Sequence, residues 1–116
     1  MNAQRKTNLD ELENAIEYKF KNIKLLKNAL THSSYANESK HGDKSNERLE
    51  FLGDSVLSIV VSDYIFKNCP NYPEGDLSKL RAALVCEKTL SKFARTIHLG
   101  DFIRLSPVSY THLTLP

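Results

Sequence analysis

NERLEFLGDSVL, residues 46–57, is the stretch whose reading decides the fold. It sets three carboxylates, an arginine and a glycine into a hydrophobic pattern. At about 100° per residue, a helix through it brings Glu47, Glu50 and Asp54, at i, i+3 and i+7, within roughly 60° of one another on one face. Like charges so placed cost a helix roughly 0.2–0.5 kcal/mol per pair unless a cation or a partner compensates them. A solvated face is the ordinary explanation of acids at helical spacing, but it leaves Gly53 unexplained. Glycine inside a helix costs about 1 kcal/mol relative to alanine, and this predicts close approach of another backbone or a bulky side chain at that position. Phe51 falls near the border of the acidic stripe, roughly 100° from Glu50 and Leu52, so it is either a partner surface or a buried boundary residue.

Downstream, Leu49, Leu52, Val56, Ile59, Val60 and Tyr64, flanked by Leu57, Val61 and Ile65, carry the helix to about residue 67. With more than one apolar face it reads as the central helix of the fold, capped by Ser45 or Asn46. Upstream, residues 33–45 (SSYANESKHGDKS) show no apolar period and read as a loop beside the site. Before it, residues 22–32 form an amphipathic helix with Asn22 as N-cap, and residues 9–20 another that begins near Asn8 or Asp10. Residues 68–75, NCPNYPEG, read as a turn, and Asp76 is the candidate N-cap of a helix over 77–85. A break near Cys86 precedes a fifth helix over 88–99, stopped by Gly100. The last ten residues, PVSYTHLTLP, contain none of the 16 Lys and Arg or the 14 Asp and Glu and alternate like a strand that has no partner. They are not expected to belong to the domain, which spans residues 8–106.

The chain of 116 residues, 41% hydrophobic and 26% charged, has the composition of one soluble globular domain. No apolar run approaches the ~20 residues needed to span a bilayer, and the N-terminus lacks the apolar core of a signal peptide, so no membrane partner and a cytoplasmic setting are expected. A net charge of +2 is too mild to predict nucleic-acid binding from composition. Cys69 and Cys86 lack metal-ligand spacing and read as free thiols. His32, His41, His98 and His112 likewise lack it and read as structural or surface residues. Ser33 and Ser34 beside His32 have neither the acid nor the oxyanion donors of a hydrolase triad.

NERLEFLGDSVL resembles the signature of the ribonuclease III family, the double-stranded-RNA-specific endonucleases. ALTHSSY (29–35) is similar to the segment preceding that signature, and PEGDLSKLRAALVCEKTLSKFARTIHLGDFIRLS (73–106) to the segment after it. The resemblance implies an all-α endonuclease-domain fold working as a homodimer. It implies magnesium, for which manganese can stand in, held by Glu50 and Asp54, with Glu47 and Glu74 in or near a catalytic and RNA-contacting valley. It also implies a dimer contact through Phe51, with Gly53 turned toward the second subunit. Lys40, Lys44, Lys79 and Arg81 are candidate phosphate contacts. The family completes its metal site with a downstream aspartate and glutamate that have no match after Asp101. The domain is therefore expected to be incomplete at its C-terminal end and catalytically incomplete as it stands. The alternative is a non-catalytic ribonuclease-III-like dimerisation or RNA-binding module.

Overall fold

Two asparagines open the first two helices in the same way. Asn8 Oδ1 accepts the Asp10 backbone N–H at 2.9 Å and Asn22 Oδ1 that of Lys24 at 3.1 Å, each satisfying one donor that the first helical turn leaves unpaired. The computed structural model describes residues 8–106 and is all-α: α1 (Leu9–Ile16), α2 (Ile23–Ala29), α3 (Ser33–Glu38), α4 (Glu47–Asn68), α5 (Glu74–Val85), α6 (Glu87–Thr96) and a 3₁₀ turn (Leu99–Asp101). The strand-like segment 107–116 lies outside the described residues. Cys69 and Cys86 are free thiols.

Several boundaries differ from the sequence reading, each for a physical reason. The first helix ends at Ile16 rather than near Phe20, because Glu17 turns left-handed (φ 57°) and its N–H closes back on Asn14 O and Glu13 O. The expected loop 33–45 begins with α3, which has no buried residue and so shows no apolar period. Helix α5 begins at Glu74, with Pro73 rather than Asp76 at the cap; Gly75 lies in the first turn, where its N–H needs no helical partner. The last helix ends before Gly100: Ile97 caps it, and His98 takes the left-handed conformation (φ 55°) that leads into the 3₁₀ turn.

The largest difference concerns the core. Leu12, Leu26, Leu30 and Phe102 form the buried cluster, with Leu9, Phe20, Ile97, Leu99 and Ile103 packed on it, so the interior lies among α1, α2 and the segment after α6. Helix α4 is not central within the chain. Only Ile65 is buried along it, whereas Leu52, Val56, Ile59, Val60, Tyr64 and Phe66 are all more than half exposed. Nor, among the described residues, does anything approach Gly53: a Cβ built there would meet nothing within 4 Å.

A buried carboxyl ties α1 to the turn after it. Glu13 Oε2 accepts the Phe20 N–H at 2.6 Å, and Glu13 O that of Tyr18 at 3.0 Å. Phe20 then packs its edge on Tyr18, ring centroids 4.9 Å apart. Glu13→Ala leaves the part-buried Phe20 N–H without its acceptor, and we expect a loss of about 1–3 kcal/mol in urea unfolding. Glu13→Gln, which keeps an acceptor of nearly the same reach, should lose less.

Candidate active site

The N-terminal end of α4 is pinned to α2 by side-chain amides. Asn46 Nδ2 donates to Ala29 O at 2.8 Å and Asn46 N to Thr31 O at 2.9 Å, while Asn28 Nδ2 reaches Lys44 O and Ser45 O, both at 3.0 Å. Thr31 is fully buried. Its hydroxyl donates to Lys27 O at 2.6 Å and accepts from Arg104 Nη2 at 2.7 Å and Nε at 3.0 Å. Around this contact residues 31 and 104 form an isolated parallel bridge: Arg104 N donates to Leu30 O at 2.7 Å and His32 N to Arg104 O at 3.0 Å. The Arg104 guanidinium also lies 4.7 Å from the Tyr35 ring centroid and 3.5 Å from Asp43 Oδ1.

Asp43 accepts the Ser39 hydroxyl at 2.6 Å, and this bond, helped by Arg104 and His41, holds its carboxyl below the ordinary value of 3.8 against a smaller desolvation effect. A depressed carboxylate pKa stabilises the fold fully above the ordinary value and ceases to do so as pH falls through the lowered one. The melting temperature of Asp43→Asn should therefore fall less steeply than that of the wild type on acidification below about pH 4, as read by thermal melts across that range.

Within this frame an open groove is lined by Ala29, His32, Ser33, Asn46, Glu47, Leu49 and Glu50. Glu47 is the first residue of α4, and its Oε1 accepts the Ser45 hydroxyl at 3.0 Å. Glu50 donates its N–H to Asn46 O at 2.8 Å and contributes to the groove lining. Asp54 lies one turn later, exposed and outside the groove lining. Among the described residues none of these three acids has a Lys or Arg within salt-bridge distance. The acidic stripe read from the spacing is thus present and uncompensated. Glu50 and Asp54, exposed hard oxygen donors at i and i+4, fit two positions of a divalent cation's coordination sphere. Among the described residues no cluster of three or more His, Cys, Asp and Glu is placed to hold a metal.

Glu74 is elsewhere. It lines a second groove between α4 and α5 with Ser62, Ile65, Phe66, Leu77, Ser78 and Arg81, whose Nη1 donates to Ser62 Oγ at 2.9 Å. At about 1.5 Å per residue along α4, Ile65 lies about 22 Å from Glu50, so one chain does not bring Glu74 to the other acids. The basic candidates divide in the same way: Lys40 and Lys44 lie in the connection before α4, Lys79 and Arg81 on α5. Phe51 is 80% exposed, which makes it a surface residue of the chain. His32, which spacing alone marks only as a structural or surface residue, lines the acidic groove; the sign of its role is local, an N-cap position filled by a ring nitrogen.

A family model described as ribonuclease-III-like matches residues 22–113. Over 98 residues the chain is 56% identical to Ribonuclease 3 of Clostridium tetani, covering 84% of this chain and 41% of that protein. To Ribonuclease 3 of Caldanaerobacter subterraneus subsp. tengcongensis it is 57% identical over 97 residues, with coverage of 84% and 42%. The chain thus spans about two-fifths of the length of these curated relatives. A crystal structure of the nuclease domain of ribonuclease III from Campylobacter jejuni superposes with a TM-score of 0.81 at 48% identity, over 92% of this chain and 69% of that one. A second structure of that domain, described as showing structural flexibility in a region involved in dimer formation, also gives a TM-score of 0.81.

Proposed function

The chain belongs to the ribonuclease-III-like family, and from that premise we propose that it serves the endonucleolytic hydrolysis of double-stranded RNA, in the processing of ribosomal and messenger RNA precursors, with the cytoplasm as its setting. The observation that carries this reading is the pair Glu50 and Asp54, unpaired on one face of α4 and adjoining an open groove. Glu50 and Asp54 would hold magnesium or manganese, which when bound activates water toward a phosphodiester and offsets charge on the leaving oxygen. Glu47, oriented by the Ser45 hydroxyl, keeps a carboxylate at the mouth of the groove, able to accept a proton or a ligand hydroxyl. Lys40 and Lys44 approach a duplex on the acidic side, and Lys79 and Arg81 approach it on the far side of α4. Duplex RNA is held mainly by shape, phosphates and 2′-hydroxyls, so cations spread over two regions suit it better than one basic patch. Glu74 sits with this far group, about 22 Å along α4 from Glu50.

The second proposed element is a homodimer built on the uncovered face of α4. Phe51, Leu52, Val56, Ile59 and Val60 present there a hydrophobic surface of a kind that monomers rarely leave exposed. A partner at Phe51 would also supply the close approach that Gly53 lacks among the described residues. Phe51→Asp should weaken self-association at least about tenfold, read by sedimentation across a concentration series. An unchanged dimer would remove Phe51 from the interface.

The functional reading is tested by incubating the chain with a long RNA duplex and magnesium beside Asp54→Asn. Metal-dependent internal cleavage that the substitution abolishes supports it. Duplex binding without cleavage, even when the downstream acidic pair is restored, would favour the non-catalytic binding module instead.

A further inference from the structure

The groove that holds Glu47 and Glu50 also holds a donor, and its polarity is fixed by the fold. His32 caps α3, its Nδ1 accepting the Ser34 backbone N–H at 3.0 Å. A backbone N–H can only donate, so Nδ1 is the unprotonated nitrogen, and the neutral ring carries its proton on Nε2. The Ser34 hydroxyl reinforces this assignment: it lies 2.8 Å from Nδ1 and already accepts the Ser106 N–H at 3.0 Å, which leaves its own proton free for the ring. His32 is exposed, and its Nε2 has no partner among the described residues.

The groove lining therefore includes one ring whose free N–H can only donate, together with two carboxylates. Asn46 spends one of its two amide N–H groups on Ala29 O, and the Ser33 hydroxyl can turn to donate or accept, so among these groups only the His32 ring has its polarity set by a helix cap. Without a metal, a phosphate oxygen could take the N–H but would be repelled by the acids and could give them nothing. A 2′-hydroxyl can do both, accepting from Nε2 and donating to a carboxylate. Resting on the proposed duplex-RNA reading, we infer that His32 is a substrate-binding residue whose Nε2–H donates to a ribose 2′-hydroxyl, and that it helps the site to tell RNA from DNA.

The substitution His32→Asn separates this role from capping. Asn8 and Asn22 already cap α1 and α2 through the same contact to the N–H two residues on, at 2.9 and 3.1 Å, so asparagine at 32 keeps the cap and removes Nε2. Binding is read in EDTA, without cleavage, using a short RNA duplex and a DNA duplex of matching sequence. We expect His32→Asn to melt at the wild-type temperature, to bind the RNA duplex about fivefold more weakly and to bind the DNA duplex unchanged. Equal RNA affinity in variant and wild type overturns the inference while leaving the proposed function in place. An equal loss toward RNA and DNA overturns the 2′-hydroxyl contact. A wild-type chain that binds no RNA in EDTA overturns this inference, and only one that binds none with magnesium present overturns the proposed function as well. Should the variant melt early, the Nε2 resonance of isotopically labelled wild-type His32 decides: it must shift on adding the RNA duplex and stay in place on adding the DNA duplex.

Discussion

Asp54→Asn is expected to lower whatever magnesium-dependent cleavage of an RNA duplex Glu50 and Asp54 support without the downstream acidic pair by at least about a hundredfold, because a metal at the phosphodiester supplies several kcal/mol of transition-state charge stabilisation and each 1.36 kcal/mol is tenfold in rate. The substitution is nearly isosteric, and Asp54 is exposed and outside the core, so the fold should be unaffected. The same change has a second signature that does not depend on turnover. In the wild type, Glu47, Glu50 and Asp54 form a stripe of like charge with no basic partner among the described residues, and a divalent cation relieves part of that repulsion. Magnesium should therefore raise the melting temperature of the wild type more than that of Asp54→Asn, since a ligand that binds only the folded state stabilises it by RT ln(1 + L/Kd) at free ligand concentration L, an amount that grows as the site binds more tightly. Without magnesium the order should reverse, Asp54→Asn melting slightly higher because one repulsive pair at i, i+4 has gone. A variant that cleaves at the wild-type rate would remove Asp54 from the site. Identical magnesium responses in both proteins would remove it from the metal.

Phe102→Ala is expected to have the largest effect on stability, about 3–5 kcal/mol, the usual range for truncating a buried aromatic. Phe102 is 6% exposed and is one of six buried apolar residues among the described residues, clustered with Leu12, Leu26 and Leu30. It arrives from the far end of the chain to close the space between α1 and α2, and Arg104, two residues on, locks to Thr31. A domain's whole stability is usually about 5–15 kcal/mol, so this one change should remove a large share of it and be visible as a fall in the urea midpoint. Leu52→Ala, at a residue 59% exposed on α4, provides the contrast and should cost the isolated chain far less. If the two substitutions cost the same, the core is not where the buried cluster places it.

Local signals are legible in the sequence wherever the deciding interaction spans a few residues. Asn8 and Asn22 are caps because an Asx side chain reaches the N–H two residues on, and the start and length of α4 come from its apolar run. Helix α3 escapes the sequence reading because a short helix with no buried residue has no periodicity to show, and because its cap is a histidine rather than one of the usual small polar residues. The start of α5 escapes it because proline and glycine close together signal a turn, and the same residues also suit the entry to a helix and its first turn.

Within one element, then, the sequence alone determined the outcome. Helical periodicity is a local property, and it sets Glu47, Glu50 and Asp54 on one face of α4 whatever surrounds them. Which groups share a groove was decided only by tertiary structure. His32 shares a groove with Glu47 and Glu50 because Asn28, Asn46 and Thr31 fasten the two ends of the α2–α4 connection together, and because Arg104 closes on Thr31 from 73 residues away. Glu74 is carried to the other end of α4 for the same kind of reason, since α5 packs against the segment around Ile65. Hydrophobicity told which residues of α4 could be buried. It could not tell that this chain leaves them uncovered, because burial depends on which surfaces meet, and those surfaces come from distant parts of the chain or from a second one.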